Sequence, residues 1–232
     1  MAFDIYAGTF VRFYTREWEN VIQAQARMDG NEYRMIYAGG DQGPPRKEDV
    51  LAAVDAWKSG INAALAPHGL GPIEWSEEDT QPYYTNRPSW EGYSAIQQWA
   101  AHLERPNLSV PYLLPESYAS GTAMESILED DKNLHFRSIL QGGVWLPGDF
   151  EFLFKFPALT DGEIMIGSTG RLLRELNELK GRPLIWDKKP SLSFDSKKDS
   201  IVFQEAAEWA LPIFTSVIER GHAAKVPFLL SF

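Results

Sequence analysis

The chain has 232 residues, of which 44% are hydrophobic and 23% charged, the composition of an ordinary globular protein with room for a sizeable core. Its net charge of −10 argues against nucleic acid or an anionic membrane as a partner, because phosphate binding needs an excess of lysine and arginine. The lack of cysteine excludes disulfides and thiolate metal sites, and no apolar run approaches the roughly 20 residues that span a bilayer. Because the N-terminus also lacks the basic start and apolar core of a signal peptide, we expect a soluble cytoplasmic protein.

The first 70 residues predict two strands and one helix. Residues 3–14 are rich in aromatic and β-branched side chains, which indicates a strand that breaks at Gly8. Residues 33–37 predict a second strand. A helix should begin near Lys47 and end at Pro67-His68-Gly69. Its apolar face recurs every three or four residues and consists of Val50, Val54, Trp57, Ile61 and Leu65.

The middle of the chain predicts two further helices. Ser89 has the residue type of an N-cap, and Arg105-Pro106 closes the helix that it begins. The apolar stripe of this helix comprises Trp90, Tyr93, Ile96, Ala100 and Leu103. Residues 106–122 are expected to be irregular because Pro106, Pro111 and Pro115 interrupt them. A short helix should follow through Met124, Ile127 and Leu128.

The second half predicts strands that alternate with helices. Residues 144–146 and 150–156 flank the turn signal Pro147-Gly148-Asp149, which predicts a β-hairpin. The second arm alternates four phenylalanines with other residues, as expected of a sheet with one packed face. A strand at 163–166 should then pass through Gly167-Ser168-Thr169-Gly170 into a helix with one leucine-rich side, formed by Leu172, Leu173, Leu176 and Leu179.

The last 50 residues predict a short strand at 183–186, a polar loop at 187–200 and a helix from Phe203. Pro212 must kink this helix or start a new one, because proline lacks the backbone N–H that the helix needs. Residues 226–230 predict a final buried strand. The loop carries the basic patch of the chain, which consists of Lys188, Lys189, Lys197 and Lys198.

These elements favour an α+β (mixed α/β) fold in which a mostly antiparallel or mixed sheet packs with several helices. No linker or repeat divides the sequence, so one domain over residues 1–232 is the simplest organisation. The alternative is an acidic helical part at 1–135 followed by a β-rich part at 136–232.

The charge of the chain is concentrated in residues 70–131. This window holds eleven carboxylates against two arginines, a net charge of −9 out of the chain's −10. It also holds three of the eight tryptophans and five of the nine tyrosines, but no phenylalanine. Tryptophan and tyrosine combine apolar area with a polar tip, which protein contact surfaces favour. The window therefore predicts a docking surface for a basic protein.

The aromatic residues of this region divide by their predicted environment. Trp57, Trp90 and Tyr93 lie on apolar helix faces and are expected in the core, whereas Trp99 lies off its stripe and is expected to be exposed. The predicted partner-binding surface combines loop-borne aromatics with carboxylates, because loops run over the surface and often carry function. Its residues are Trp75, Glu77, Glu78, Asp79, Tyr83, Tyr84, Tyr112, Glu129, Asp130 and Asp131.

Catalytic and metal-binding patterns are weak in this sequence. His68, His102, His135 and His222 lack the spacing of metal ligands on one helix face, so we expect no metal or cofactor. Paired carboxylates among aromatics suit a glycosidase, but runs such as Glu77-Glu78-Asp79 are typical of solvated helix ends. The turn formed by Gly167, Ser168, Thr169, Gly170 and Arg171 suits an anion at a helix N-terminus, as in a small-molecule enzyme or sensor. The pattern nevertheless favours a helix cap there, formed by Ser168 or Thr169.

The strand, turn and helix of residues 163–179, together with the closing helix and strand from Phe203 to Phe232, resemble the C-terminal halves of bacterial immunity proteins of polymorphic toxin systems. The resemblance implies a non-enzymatic cytosolic inhibitor that binds a toxin domain and blocks its active site. Such toxins are often basic nucleases, for which an acidic surface is suited because it speeds encounter. We expect a monomer or a homodimer, in which the 188–198 lysine loop pairs with the acidic region or leaves it open.

Overall fold

The computed structural model describes residues 3–31, 43–116, 118–184 and 201–231. These residues form eight α-helices and one six-stranded sheet, which confirms the predicted α+β fold. The strands are β1 (Asp4–Ala7), β2 (Tyr84–Asn86), β3 (Val144–Leu146), β4 (Phe154–Pro157), β5 (Glu163–Ser168) and β6 (Phe228–Ser231). The helices are α1 (Phe10–Tyr14), α2 (Val21–Met28), α3 (Lys47–Leu65), α4 (Trp90–Glu104), α5 (Thr122–Glu129), α6 (Arg137–Gln141), α7 (Thr169–Gly181) and α8 (Phe203–Ala223).

The strand order across the sheet is β2-β1-β6-β3-β5-β4. The β3–β5 pair is parallel, and the other four pairs are antiparallel. The closing strand β6 lies between β1 and β3, with Tyr6 opposite Leu229 and Val144 also opposite Leu229. Residues 1–135 and 136–232 thus contribute strands to the same sheet, although the first of these parts is the more acidic.

Both faces of the sheet are covered. Successive side chains of a strand point to opposite faces, so each central strand contributes to two apolar clusters. Ile5, Trp145 and Phe228 face the layer that contains α4 to α8. Tyr6 and Leu229 face the opposite layer, which contains α1 and α3. The sheet is therefore the middle of three layers, and its two faces bury the largest aromatic side chains of the chain.

The helices with a clear 3.6-residue period form where the sequence predicts them. All five residues of the apolar face of α3 are buried, and the helix gives way at Ala66–His68 to a short 3₁₀ turn that Gly69 closes with a φ of 72°. The hydroxyl of Ser89 caps α4, because it accepts a hydrogen bond from the N–H of Gly92 at 3.2 Å. The predicted short helix through Met124 and the final strand are confirmed as α5 and β6.

Two strand predictions are wrong. Residues 3–14 form a strand only as far as Ala7, and Thr9 then caps the short helix α1 through a hydrogen bond to the N–H of Arg12. Pro147-Gly148-Asp149 does not join a hairpin, because β3 pairs with β5 and not with β4. The actual hairpin joins β4 to β5 through a turn in which the Ala158 N–H donates to the carbonyl of Gly162 at 3.0 Å.

Pro212 lies inside the single continuous helix α8, so no new helix begins there. Helix α7 begins at Thr169 and buries Leu172, Leu176 and Leu179, as predicted. The predicted strand at 33–37, the second half of the strand at 183–186 and the 187–200 lysine loop lie outside the described residues.

We predict that Gly221→Ala destabilises the protein because α8 packs directly on β1 at this point. An added methyl group would lie 2.6 Å from the Cβ atom of Ala7. We expect the free energy of unfolding to fall by about 1–3 kcal/mol, the usual cost of overpacking a core. Urea denaturation measures the change. Gly181→Ala is the matched control, because no atom lies within 4 Å of its added methyl group and alanine there should leave stability unchanged or raised. Equal effects of the two substitutions would contradict the packing argument.

Candidate functional site

The predicted partner-binding residues fall into two separate places. Residues 75–83 lie on the side of the sheet that α1 and α3 cover, whereas Tyr84 and the 129–131 run at the end of α5 lie on the other side. Tyr112 belongs to neither group, since its backbone carbonyl accepts the N–H of Phe203 at the start of α8. The two groups differ in whether their side chains are already engaged inside the protein.

The carboxylate of Glu77 binds the start of α1. Its Oε2 accepts a hydrogen bond from the Val11 N–H at 2.9 Å, and its Oε1 accepts from the Phe10 N–H at 3.3 Å and from the Trp75 indole at 2.5 Å. The first N–H groups of a helix have no partner within the helix, so this carboxylate supplies one. Burial raises the pKa of Glu77, and the hydrogen bonds from Val11, Trp75 and Phe10 oppose that shift. Glu77 is therefore a structural residue and not the solvated carboxylate that the sequence predicts.

The neighbours of Glu77 are also engaged. Trp75 is buried, which contradicts its predicted exposure, and packs edge-on against Phe10 with ring centroids 5.8 Å apart. The ammonium group of Lys58 lies over the Trp75 ring at 4.9 Å and also pairs with Glu74 at 2.8 Å. Asp79 is exposed, but its carboxylate meets Lys47 at 2.5 Å, and this contact lowers its pKa. The charges at 74 and 79 are thus matched within the chain.

Tyr83 and Tyr84 are half-buried and hold edge segments to the fold. The Tyr83 ring stacks on Tyr6 with centroids 6.1 Å apart, and the guanidinium of Arg12 lies 5.1 Å from its centre. Tyr84 lies in the edge strand β2, where the guanidinium of Arg220 sits 4.1 Å from its ring. These contacts give the first group a structural role, and Glu78 is the carboxylate of the 77–79 run that stays exposed without an ion pair in the described residues.

The second group forms a compact acidic surface around α5. Helix α5 buries Ala123, Met124 and Ile127 against the core and presents its other side to solvent. Leu128 is 59% exposed on that outer side, beside the carboxylates. We define the α5 surface as Glu125, Leu128, Glu129, Asp130 and Asp131, all of which are exposed.

The carboxylates of the α5 surface are not engaged in ion pairs with other described residues. In the described part of the chain none of the four forms an ion pair, although Gln141 donates to Asp131 at 2.9 Å. The neighbouring Arg105 forms no ion pair with them, and its guanidinium donates instead to backbone carbonyls at the end of α5, including that of Asp130 at 2.6 Å. Lysine and arginine side chains commonly satisfy helix C-termini in this way. Four like charges thus remain exposed on one surface.

The sequence interpretation missed Glu125 and Leu128 as surface residues. Their spacing with Glu129 is i, i+3 and i+4, which places three residues on one face of a helix. Met124 and Ile127 occupy the opposite face, so the amphipathic pattern of 122–129 already separates the two sides. The predicted helix groups Leu128 with Met124 and Ile127, whereas the structure leaves Leu128 59% exposed.

Two tryptophan predictions are also wrong. Trp99 is buried, and its indole N–H donates to the carbonyl of Arg182 at 3.1 Å. Trp90 is 38% exposed rather than part of the core, and its inner face contacts Phe3 with ring centroids 4.7 Å apart. Trp90 stands at the first turn of α4, after Ser89, whose φ of 60° is rare outside glycine.

The contacts of the turn at Gly167–Arg171 favour a helix cap over an anion site. Ser168 caps α7, because its hydroxyl accepts the N–H of Arg171 at 3.0 Å and donates to the carbonyl of Phe150 at 2.8 Å. The N–H of Gly170 donates to the carbonyl of Gly148 at 3.0 Å. The guanidinium of Arg171 already pairs with Glu175 at 2.7 Å. A cleft of about 480 Å³ lies beside this turn, but none of the five turn residues lines it.

Within the described residues, no group of three or more histidine, aspartate or glutamate side chains is arranged to hold a metal ion. None of the helices in the same part of the chain has the length and apolarity to cross a membrane. Comparison with protein-family models, with curated proteins and with solved structures finds no match to this chain.

We predict that Glu77→Gln destabilises the fold. The Glu77 carboxylate accepts hydrogen bonds from three N–H groups, and the NH₂ group of glutamine cannot accept one, so at least one of these N–H groups would lose its acceptor. The expected loss is about 2–3 kcal/mol, the cost of disturbing hydrogen bonds to a charged, half-buried group. Urea denaturation at pH 7 measures it. Glu78→Gln, the same change at the exposed neighbour, should alter stability by less than about 0.5 kcal/mol.

The raised pKa of Glu77 also predicts a pH dependence. A carboxyl group whose pKa is higher in the folded state favours folding while it is protonated, and that contribution is lost as pH rises through the folded pKa. The stability advantage of the wild type over Glu77→Gln should therefore shrink between pH 4 and pH 7. Denaturation curves of both proteins across this range provide the measurement. An advantage that grows with pH would contradict the assigned effect of burial.

Proposed function

We propose that this protein is a non-catalytic binding protein that captures a basic protein partner through the α5 surface. The observation that carries the proposal is the combination of four exposed carboxylates without ion pairs in the described residues and one exposed leucine among them. Complementary charge steers a basic partner to such a surface and raises the association rate. A buried apolar anchor then slows dissociation, because contact residues that lose all their water carry most of the binding energy.

The contrast with residues 74–79 supports this choice of surface. There, Lys47 and Lys58 pair with Asp79 and Glu74, and Glu77 is committed to α1. A partner that binds that region must first displace internal cations. At α5 the carboxylates form no ion pair in the described residues, so a partner can pair with them without breaking one.

A toxin domain is the specific partner that we propose. Residues 163–179 and 203–232 resemble parts of immunity proteins, and those proteins inhibit by direct binding. In that case the basic partner is toxic when it is produced alone, and co-production of this chain relieves the toxicity. The cytoplasm, where such inhibitors protect the producing cell, is the proposed location.

We predict that the double charge reversal Glu125→Lys with Glu129→Lys weakens partner binding at least about tenfold, because several exposed charge pairs change from attraction to repulsion. The partner is first isolated on the immobilised protein from extracts of its own cells and then purified. Binding of the purified partner is measured by calorimetry at about 50 and 300 mM salt, conditions that differ strongly in screening. The wild type should lose affinity with salt, and the variant should lose much less.

The matched control is Glu48→Lys with Asp55→Lys, an equal change of charge at exposed positions of α3. Helix α3 covers the opposite face of the sheet, so this control should keep the wild-type affinity apart from a small effect of net charge. Equal losses in the two double variants would show that only net charge matters. An unchanged affinity and salt dependence in the α5 variant would rule out this surface as the binding site.

A further inference from the structure

The cleft of about 480 Å³ beside the start of α7 opens at the edge of the sheet where the parallel strands β3 and β5 end. Three segments line it: the residues after α3, the residues after β3 and the end of α8. Ligands of α/β proteins commonly bind at the carboxyl ends of parallel strands, and the volume is within the usual range of such sites. None of the five residues of the α5 surface lines the cleft, so it is separate from the proposed partner-binding surface.

Most of the cleft wall is apolar. Phe150 and Phe152 lie along one side, half-buried, with ring centroids 4.9 Å apart. Leu65 and Ile73 are buried in the wall that α3 and the residues after it contribute. The hydrophobic part of a ligand would lose contact with water on this surface, which favours binding.

The carboxylates of the cleft are matched by cations, whereas one of its cations is not matched by an anion. Glu74 pairs with Lys58 at 2.8 Å, and Asp149 pairs with Arg174. Lys225 is exposed at the cleft and forms no ion pair in the described part of the chain. The charge that remains open to a ligand is therefore positive, which favours an anion.

Lys225 has a backbone conformation that is unusual for lysine. Helix α8 ends in a Schellman motif, in which the N–H of Val226 donates to the carbonyl of Gly221 at 3.0 Å and that of Lys225 to the carbonyl of His222 at 3.1 Å. The φ of 55° at Lys225 lies in the left-handed region, where glycine is the usual residue of this motif. Strained residues of this kind cluster at functional sites.

His222 adds a second donor to the cleft. Its Nδ1 lies 2.9 Å from the hydroxyl of Thr169, which is fully buried at the start of α7. Within the described residues Nδ1 is the acceptor that this hydroxyl meets, so we assign the hydroxyl as the donor and the imidazole hydrogen to Nε2. Nε2 itself forms no hydrogen bond in that part of the chain. An N–H donor of the cleft lining is thus open to a ligand.

We infer that this cleft binds a small carboxylic acid with an apolar body, in its anionic form. The carboxylate accepts hydrogen bonds from the Lys225 ammonium and from Nε2 of His222, and the apolar body packs against the wall that contains Phe150. A carboxylate suits the cleft better than a phosphate, because a single negative charge matches the one unpaired ammonium of the described lining. The second charge of a phosphate would also be repelled by Glu74 and Asp149. This inference does not rest on the proposed function.

The probe for this test is 4-phenylbutyrate, titrated into the full chain labelled with ¹⁵N. Its neutral isostere, 4-phenylbutyramide, has nearly the same shape and lacks the charge. We expect the carboxylate to shift the amide resonances of residues 148–152 and 222–225 with a dissociation constant on the order of 0.1–1 mM, as its size allows. The amide should bind at least about tenfold more weakly, because it cannot form a charged hydrogen bond with Lys225. Equal binding of the two compounds, or shifts confined to residues away from the cleft, would overturn the inference.

Lys225→Gly separates binding from folding. Glycine removes the cation and relieves the left-handed backbone, so the urea midpoint of unfolding should rise while binding of 4-phenylbutyrate weakens about tenfold. A loss of binding in a variant of raised stability cannot result from unfolding. The control is Lys180→Gln, which removes the charge of an exposed lysine of α7 outside the cleft and should leave binding unchanged. Wild-type binding by Lys225→Gly, or equal losses in the two variants, would contradict the assigned site.

Discussion

Both faces of the central sheet are apolar, and the need to cover them decides where most aromatic side chains of the chain lie. Strand β1 is the clearest case, because all four of its residues are buried and alternate between the two layers. Trp75 is buried for the same reason, because it packs on Phe10 at the face that α1 and α3 cover. Polar groups next to buried aromatic residues need hydrogen-bond partners within the protein. Glu77 and Lys58 therefore bond to Trp75 and are partly buried.

The same constraint determines which charges remain available on the surface. The carboxylate of Asp4 is buried in β1 and is matched by Arg87, whose Nε lies 2.8 Å from its Oδ1, and by the amide of Asn20 at 3.1 Å. A buried charge without such a partner costs several kcal/mol, so Arg87 is committed to the interior. Arg105 is committed to the end of α5. The two arginines of residues 70–131 thus serve the fold, and the carboxylates of the α5 surface form no ion pair in the described part of the chain.

The sequence predicts those parts of the structure that depend on local pattern. The face of α3, the Ser89 cap and the amphipathic helix α7 follow from spacings within one element. The predictions that are wrong depend on contacts between distant segments. Residues 147–149 have the composition of a hairpin turn, but the pairing of β3 with β5 joins segments that the spacing cannot connect.

In the candidate site, too, the features that depend on local pattern are predicted and those that depend on distant contacts are not. Exposure of Glu129, Asp130 and Asp131 follows from local polarity, and the structure agrees. Burial of Trp75 and the internal role of Glu77 depend on α1, which lies more than 60 residues earlier in the chain. Composition cannot distinguish an aromatic side chain that packs on the core from one that is exposed at a contact surface, because the same residue types serve in both places.

The α5 surface is fixed to the core through Arg105, which ends α4 and donates to the carbonyl of Asp130 at 2.6 Å. Amide hydrogen exchange of the chain, free and in complex with its purified partner, tests this account most directly. The account predicts slower exchange in the complex for residues 122–131, with α3 unchanged. Slower exchange confined to α3 and residues 74–79 would contradict it.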